Sequence, residues 1–142
     1  MAKVSTPTSA VIRLAADVRL SGSSETMVVE TVLAYSVKEP FEVTLSFQTA
    51  GGVPSVVWRF ARDLLIEARV EGESGEGDVH VDWSEDDCEL HLFGNSDRKP
   101  TEAVVVLPGR RIGTFLSRIT RMVPAGAESR MLSVPSFLPV DW

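Results

Sequence analysis

The chain has 142 residues, with 14 basic and 20 acidic side chains, a net charge of −6 and 44% apolar residues. A chain of this length buries roughly 70% of its unfolded surface in one domain, which excludes wholesale disorder. The acidic balance opposes phosphate backbones, so nucleic-acid binding would need a local basic patch.

Residues 1–9 are small and polar, are broken by Pro7, and read as a flexible tail ahead of a single domain over residues 10–142. The start of the chain has neither the apolar core nor the cleavage pattern of a secretory leader. No run approaches the roughly 20 apolar residues that span a bilayer, so direct membrane insertion is not expected. The single thiol, Cys88, closes no internal disulfide, in keeping with a reducing cytoplasm.

Residues 10–20 alternate with a period of two. Ala10, Ile12, Leu14, Ala16, Val18 and Leu20 fall on one face and Val11, Arg13, Ala15, Asp17 and Arg19 on the other. After a turn at 21–24, residues 27–37 form a second β-branched strand that ends before Pro40. Residues 41–49 alternate again, with Phe41, Val43, Leu45 and Phe47 inward. They pair as a hairpin with 55–61, where Val56, Trp58 and Phe60 share a side. The period then changes, and 62–69 reads as a helix of about two turns followed by a polar loop over 71–77.

Residues 78–83 and 88–93 form the next hairpin. A four-residue loop at 84–87 puts Trp83 opposite Cys88, Val81 opposite Leu90, Asp82 opposite Glu89 and His80 opposite His91. A loop over 95–100 leads into a seventh strand, 101–107, whose continuous apolar run predicts burial on both faces. The long helix covers 110–123, with an apolar stripe of Ile112, Phe115, Leu116, Ile119, Met122 and Val123. Apolar residues within 125–142 are expected to pack on the domain or on a neighbouring subunit. The whole is a mostly β fold with C-terminal helices, an antiparallel sheet of about seven strands curled into a barrel.

The chain holds no glycine spacing that cradles a nucleotide, and neither His80 nor His91 lies beside a strained serine turn. No catalytic residue and no cofactor is assigned. Cys88 falls on an apolar phase and reads as a core residue. His80, His91, Asp82 and Glu89 share the polar face of one hairpin and include ligand types for a divalent metal. A solvated hairpin face accounts for them more simply, and no metal is assigned. Arg110, Arg111, Arg118 and Arg121 form the best basic patch and suit an acidic protein segment as well as a phosphate. The inward aromatics read as core rather than as base-stacking platforms. Trp83 and Trp142 are candidate interface anchors.

Several stretches resemble the SsgA-like family of sporulation and cell division regulators from mycelial actinobacteria. They are Trp58-Arg59-Phe60-Ala61-Arg62-Asp63-Leu64-Leu65, Gly75-Glu76-Gly77-Asp78-Val79-His80-Val81, and Phe115-Leu116 through Val123-Pro124-Ala125-Gly126-Ala127-Glu128. Pro40-Phe41 ahead of an alternating strand also fits, and the similarity runs from about residue 10 to 130. The chain looks most like the SsgB branch. The resemblance implies a non-enzymatic regulator at the division septum that helps position it and recruits FtsZ, itself placed by a related SsgA-like protein. It also implies a homo-oligomer, with a trimer favoured, built on a barrel similar to the Whirly single-stranded nucleic-acid binders. Single-stranded nucleic-acid binding is the alternative reading. Residues 129–142 depart from the family pattern, which leaves their role open.

Overall fold

The structure is a computed structural model that describes residues 7–48, 54–96 and 99–131. Its elements are β1 (Ser9–Leu20), β2 (Met27–Ser36), β3 (Glu42–Gln48), β4 (Pro54–Ala61), α1 (Arg62–Glu71), β5 (Glu73–Glu76), β6 (Val79–Trp83), β7 (Asp87–Ser96), β8 (Lys99–Pro108) and α2 (Gly109–Met122), then a 3₁₀ turn at Glu128–Met131. All eight strands join one sheet in the order β4-β3-β2-β1-β8-β7-β6-β5, with every neighbouring pair antiparallel. The sheet is therefore a pair of meanders, β1 to β4 and β5 to β8, joined where β1 pairs with β8.

The connection from β4 to β5 shows that this sheet is curled. These are its outermost strands, and α1 alone links them. Laid flat, eight strands would hold their edges about 34 Å apart, given the ~4.8 Å spacing between strands. A ten-residue helix such as α1 is only about 15 Å long. The sheet bends into a half-barrel, and α1 closes the mouth between its edges.

Alternation decides which side chains enter the curl. In β1, Ala10, Leu14, Ala16 and Val18 are buried while Val11, Arg13, Ala15, Asp17 and Arg19 are exposed, as the period of two predicts. Leu33, Leu45, Val81, Leu90 and Leu107 continue that inner surface, and Ile112, Phe115, Leu116 and Ile119 of α2 cap it. Each such side chain contributes about 1.5–3 kcal/mol on leaving water. Cys88 is fully buried among them, as its phase indicated. The anticipated pairing of β6 with β7 is the one observed, from His80↔His91 to Trp83↔Cys88.

Three expectations need correction. The stretch 71–77 is not a loop, because it contains β5, which makes the strand count eight rather than seven. Its Ser/Gly/Glu composition hides a strand formed by backbone pairing with β6 and anchored by one hydrogen bond, Ser74 Oγ to the Leu64 carbonyl. The loop over 95–100 is likewise shorter, since β7 and β8 stay paired out to Ser96↔Lys99. Phe41 is 47% exposed rather than inward. It precedes the first paired residue of β3, so the strand's alternation does not govern it.

Arg62, the first residue of α1, is 0% exposed. Its Nη2 donates to Glu128 Oε1 at 2.6 Å, and its Nη1 donates to the Val123 carbonyl at 2.6 Å, the Ile119 carbonyl at 3.3 Å and Tyr35 Oη at 3.2 Å. One guanidinium thus ties β2, α1, the end of α2 and the 3₁₀ turn together.

Candidate interaction surface

Helix α2 starts where the β8 strand ends, with Pro108 in an extended conformation before it and no side chain capping it. Gly109 seats the helix: its N–H donates to the Asp86 carbonyl at 2.8 Å. A Cβ at Gly109 would stand only 3.1 Å from the Asp86 and Asp87 backbone. The apolar stripe turns into the curl, so the opposite face of the helix points to solvent. Arg110, Arg111, Arg118 and Arg121 all lie there, exposed. The ion pairs among the described residues use Arg59, Arg62, His80 and His91, and none of these four arginines.

The fold adds neighbours that sequence spacing did not reveal. Between β1 and α2 runs an open groove of about 530 Å³ lined by Val11, Ile12, Arg13, Arg110, Arg111, Thr114, Phe115 and Arg118. On the other flank of α2 a second groove of about 390 Å³ takes Arg69, Arg110, Arg121 and Trp83 into its walls. Arg69 is held there by bonds from its Nη1 to Ser117 Oγ at 3.0 Å and the Gly113 carbonyl at 3.4 Å. Six arginines and no carboxylate line the two grooves. Arg13 and Arg69 were missed because they come from β1 and α1. The available signal was Arg13 on the outward phase of its strand.

Helix electrostatics disfavour part of this arrangement. A basic side chain gains near a helix C-terminus and loses near the N-terminus, by about 0.3–1 kcal/mol. That accounts for Arg121 in the last turn. It does not account for Arg110 and Arg111, which occupy a first turn with no acidic residue.

The other candidates fare differently. Trp83 is half-buried and packs on α2, its Cζ2 lying 3.8 Å from the Cβ position at Gly113, so it serves the fold. Trp142 and the apolar residues from 132 onward lie outside the described residues. Burial pushes the Cys88 thiol up to about 12, with Glu89 adding to the shift, which removes it as a nucleophile at neutral pH. His80 and His91 do meet on the outer face of the sheet, with Asp82 between them at 3.3 Å and 3.1 Å.

Residues 29–128 match the family described as SsgA, Streptomyces sporulation and cell division protein. The chain belongs to the SsgA family. Among its relatives, the sporulation-specific cell division protein SsgB of Streptomyces coelicolor is 35% identical over 79% of this chain and 81% of that protein. SsgB of Thermobifida fusca is 32% identical over 72% of each chain. The crystal structure of an SsgA-like sporulation-specific cell division protein from Thermobifida fusca superimposes with a TM-score of 0.69 at 27% identity, covering 91% of this chain and 92% of that one. A structure from work on SsgB mutations and longitudinal cell division in Streptomyces coelicolor gives a TM-score of 0.63 at 28% identity, over 90% of this chain and all of that one. The curled antiparallel sheet with its helices is thus the SsgA-like fold. The family match includes α2 and its arginines but begins after β1, so Arg13 lies outside it.

Proposed function

We propose that this chain is a non-enzymatic component of sporulation-specific cell division. On this reading it holds protein partners in the cytoplasm at the septum through the basic face of α2. The observation that carries the proposal is the strip of Arg110, Arg111 and Arg118 beside Arg13, free of ion-pair partners among the described residues and partly maintained against the helix dipole. Such a strip fits an acidic protein segment, because bidentate guanidinium–carboxylate pairs provide both charge and geometry. Its relatives' names support the cellular setting. FtsZ and a related SsgA-like protein are the proposed partners. A homo-oligomer, proposed as a trimer, would multiply weak contacts through effective concentration.

Co-sedimentation and light scattering with FtsZ test this reading. The wild-type chain is expected to bind at micromolar protein, and R110E/R111E and R118E are expected to weaken binding at least about tenfold, or ~1.4 kcal/mol, with unchanged circular dichroism. No effect on FtsZ, or equal binding by the variants, rejects the proposal. Labelled single-stranded oligonucleotides supply the competing outcome. Anisotropy that rises at low salt, falls steeply with added salt and disappears in the same variants would assign the strip to nucleic acid instead.

A further inference from the structure

The outer face of the sheet, away from the helices, carries a second cluster. Cross-strand register lines up Glu73, Asp82 and Glu89 in one row and Gly75, His80 and His91 in the next. Carboxylates directly opposite one another destabilise a sheet unless a cation intervenes. Among the described residues, the ion-pair partners of these three carboxylates are the two imidazoles.

His91 is oriented by its neighbours. Its Nδ1 lies 2.7 Å from Glu102 Oε1 on β8. An imidazole that donates Nδ1–H to a carboxylate presents a bare lone pair at Nε2, the arrangement found behind metal-bound histidines. That Nε2 is closed off from solvent and has no hydrogen-bond partner. It nevertheless sits 3.1 Å from Asp82 Oδ2 and 3.6 Å from Glu89 Oε2. In the tautomer that donates Nδ1–H to Glu102, three acceptors face one small space, and the 3.1 Å approach to Asp82 falls outside hydrogen-bond geometry.

One bound ion explains that geometry. Two ligands of a tetrahedral ion with bonds of ~2.0–2.1 Å stand about 3.3 Å apart, and each points at the ion rather than at the other. The second oxygen of Asp82 lies 3.3 Å from His80 Nε2. The His80 ring lies over Gly75, where a Cβ would meet its Nδ1 at 2.7 Å, so the missing side chain at 75 makes room for the imidazole. Ligand atoms of Asp82, Glu89 and His91 all fall within 4.8 Å of one another.

We propose that His91, Asp82 and Glu89 bind one divalent cation of the Zn²⁺ class, with water as the fourth ligand, His80 set against the second oxygen of Asp82, and Glu102 as the residue that orients His91. The His91 imidazole selects a borderline ion over Mg²⁺ or Ca²⁺, which take oxygen ligands. The ion would link β6 to β7 next to the β5 edge, stapling the part of the sheet whose edge strand has only four residues. The site is on the opposite side of the sheet from α2, so it stands or falls independently of the partner-binding proposal.

Tag-free full-length protein, stripped with chelator and dialysed, is titrated with ZnCl₂ by calorimetry, and native mass spectrometry counts the ions. One Zn²⁺ per chain with micromolar or tighter affinity is expected, with no response to MgCl₂. His91→Gln and Asp82→Asn should each weaken binding more than about tenfold, and Glu102→Gln by about 10–100-fold, with melting curves in chelator matching wild type. No retained Zn²⁺, or binding unchanged in His91→Gln and Asp82→Asn, overturns the proposal. Should a variant not fold, X-ray absorption on the wild-type zinc complex decides: imidazole scattering supports the site, and an all-oxygen shell rejects it.

Discussion

Replacing Arg62 by Ala is expected to remove about 3–5 kcal/mol of stability, because it strands a buried carboxylate. The Arg62 and Glu128 side chains are 1% and 7% exposed and meet at 2.6 Å. The Nη1 hydrogen bonds to Tyr35, Ile119 and Val123 come from a charged donor and leave with it, while Tyr35 Oη keeps its bond to the Pro40 carbonyl at 2.9 Å. The loss therefore has two parts, these charge-assisted bonds and the uncompensated charge left on Glu128, and only the second is relieved by neutralising Glu128. Against a total of about 5–15 kcal/mol, it should lower the melting temperature by roughly 10–17 °C for a chain of this size. Urea unfolding followed by circular dichroism and tryptophan fluorescence measures it. Adding Glu128→Gln to the Arg62→Ala variant should recover part of the loss, since the stranded charge is then gone. A loss below about 1 kcal/mol for Arg62→Ala, comparable to an exposed pair, or additive losses in the double variant, would refute the reasoning. The pH dependence supplies a second test. Glu128 is held below its ordinary value of 4.5 by its own backbone N–H, then by the Arg62 guanidinium and the Gly126 N–H, with burial opposing. A depressed carboxylate stabilises the fold above the unfolded value and stops doing so as pH falls through the folded one. The advantage of wild type over Glu128→Gln should thus be complete at neutral pH and disappear on acidification below about 4.5.

Ser74→Ala removes the one side-chain anchor between β5 and α1. It should cost about 0.5–1.5 kcal/mol, the net worth of one hydrogen bond, because the Leu64 carbonyl keeps its helical donor at Ala68, with faster amide exchange confined to β5 and neighbouring β6. Native protein should leave Cys88 unreacted with Ellman's reagent at pH 8, because the buried thiol is pushed up to about 12, whereas urea-unfolded protein should react at once. Gly109→Ala would press a methyl group against backbone at 3.1 Å, so it should destabilise by about 1–3 kcal/mol despite the better helix propensity of alanine.

What could be read from the sequence follows the physical signal each element leaves. β1, β3 and α2 bury one face, and burial writes a period into the residues; their positions and inner faces were legible. The β6–β7 register was legible too, because a short turn and two alternating runs admit few pairings. β5 buries almost nothing but Ser74, so its strand is recorded only in backbone bonds that composition does not carry. The Arg62 network illustrates the opposite failure. Arginine in a run such as Arg59-Phe60-Ala61-Arg62-Asp63 looks solvated, and nothing local says that Arg59 is 60% exposed while Arg62 is sealed in. Its partners stand 27 to 66 residues away. The same distance effect concealed Arg13 and Arg69, although the arginines of α2 were evident as a patch.

The net charge of −6 is a poor guide to what this surface attracts, and the fold shows why. The outer sheet face gathers Asp17, Glu73, Asp82 and Glu89 along one cross-strand row that passes through Val106. The helix side gathers five arginines, Arg69, Arg110, Arg111, Arg118 and Arg121, and Arg13 reaches their groove from the outward phase of β1. A sheet and the helix layer on it are about 10 Å thick between their planes, and screening in physiological salt decays over about 8 Å. A partner docking on α2 therefore meets the arginines nearly unopposed, whatever the chain's average charge. Composition argued against phosphate binding only as an average, and this segregation cancels that argument at the strip. What separates an acidic protein from a nucleic acid there is the form of the salt dependence. Release of counterions condensed on a polyphosphate gives a slope near −0.7 per neutralised phosphate of a single strand. A folded acidic surface carries no such condensed layer, so a shallow slope with intact micromolar affinity would identify a protein as the occupant of the groove.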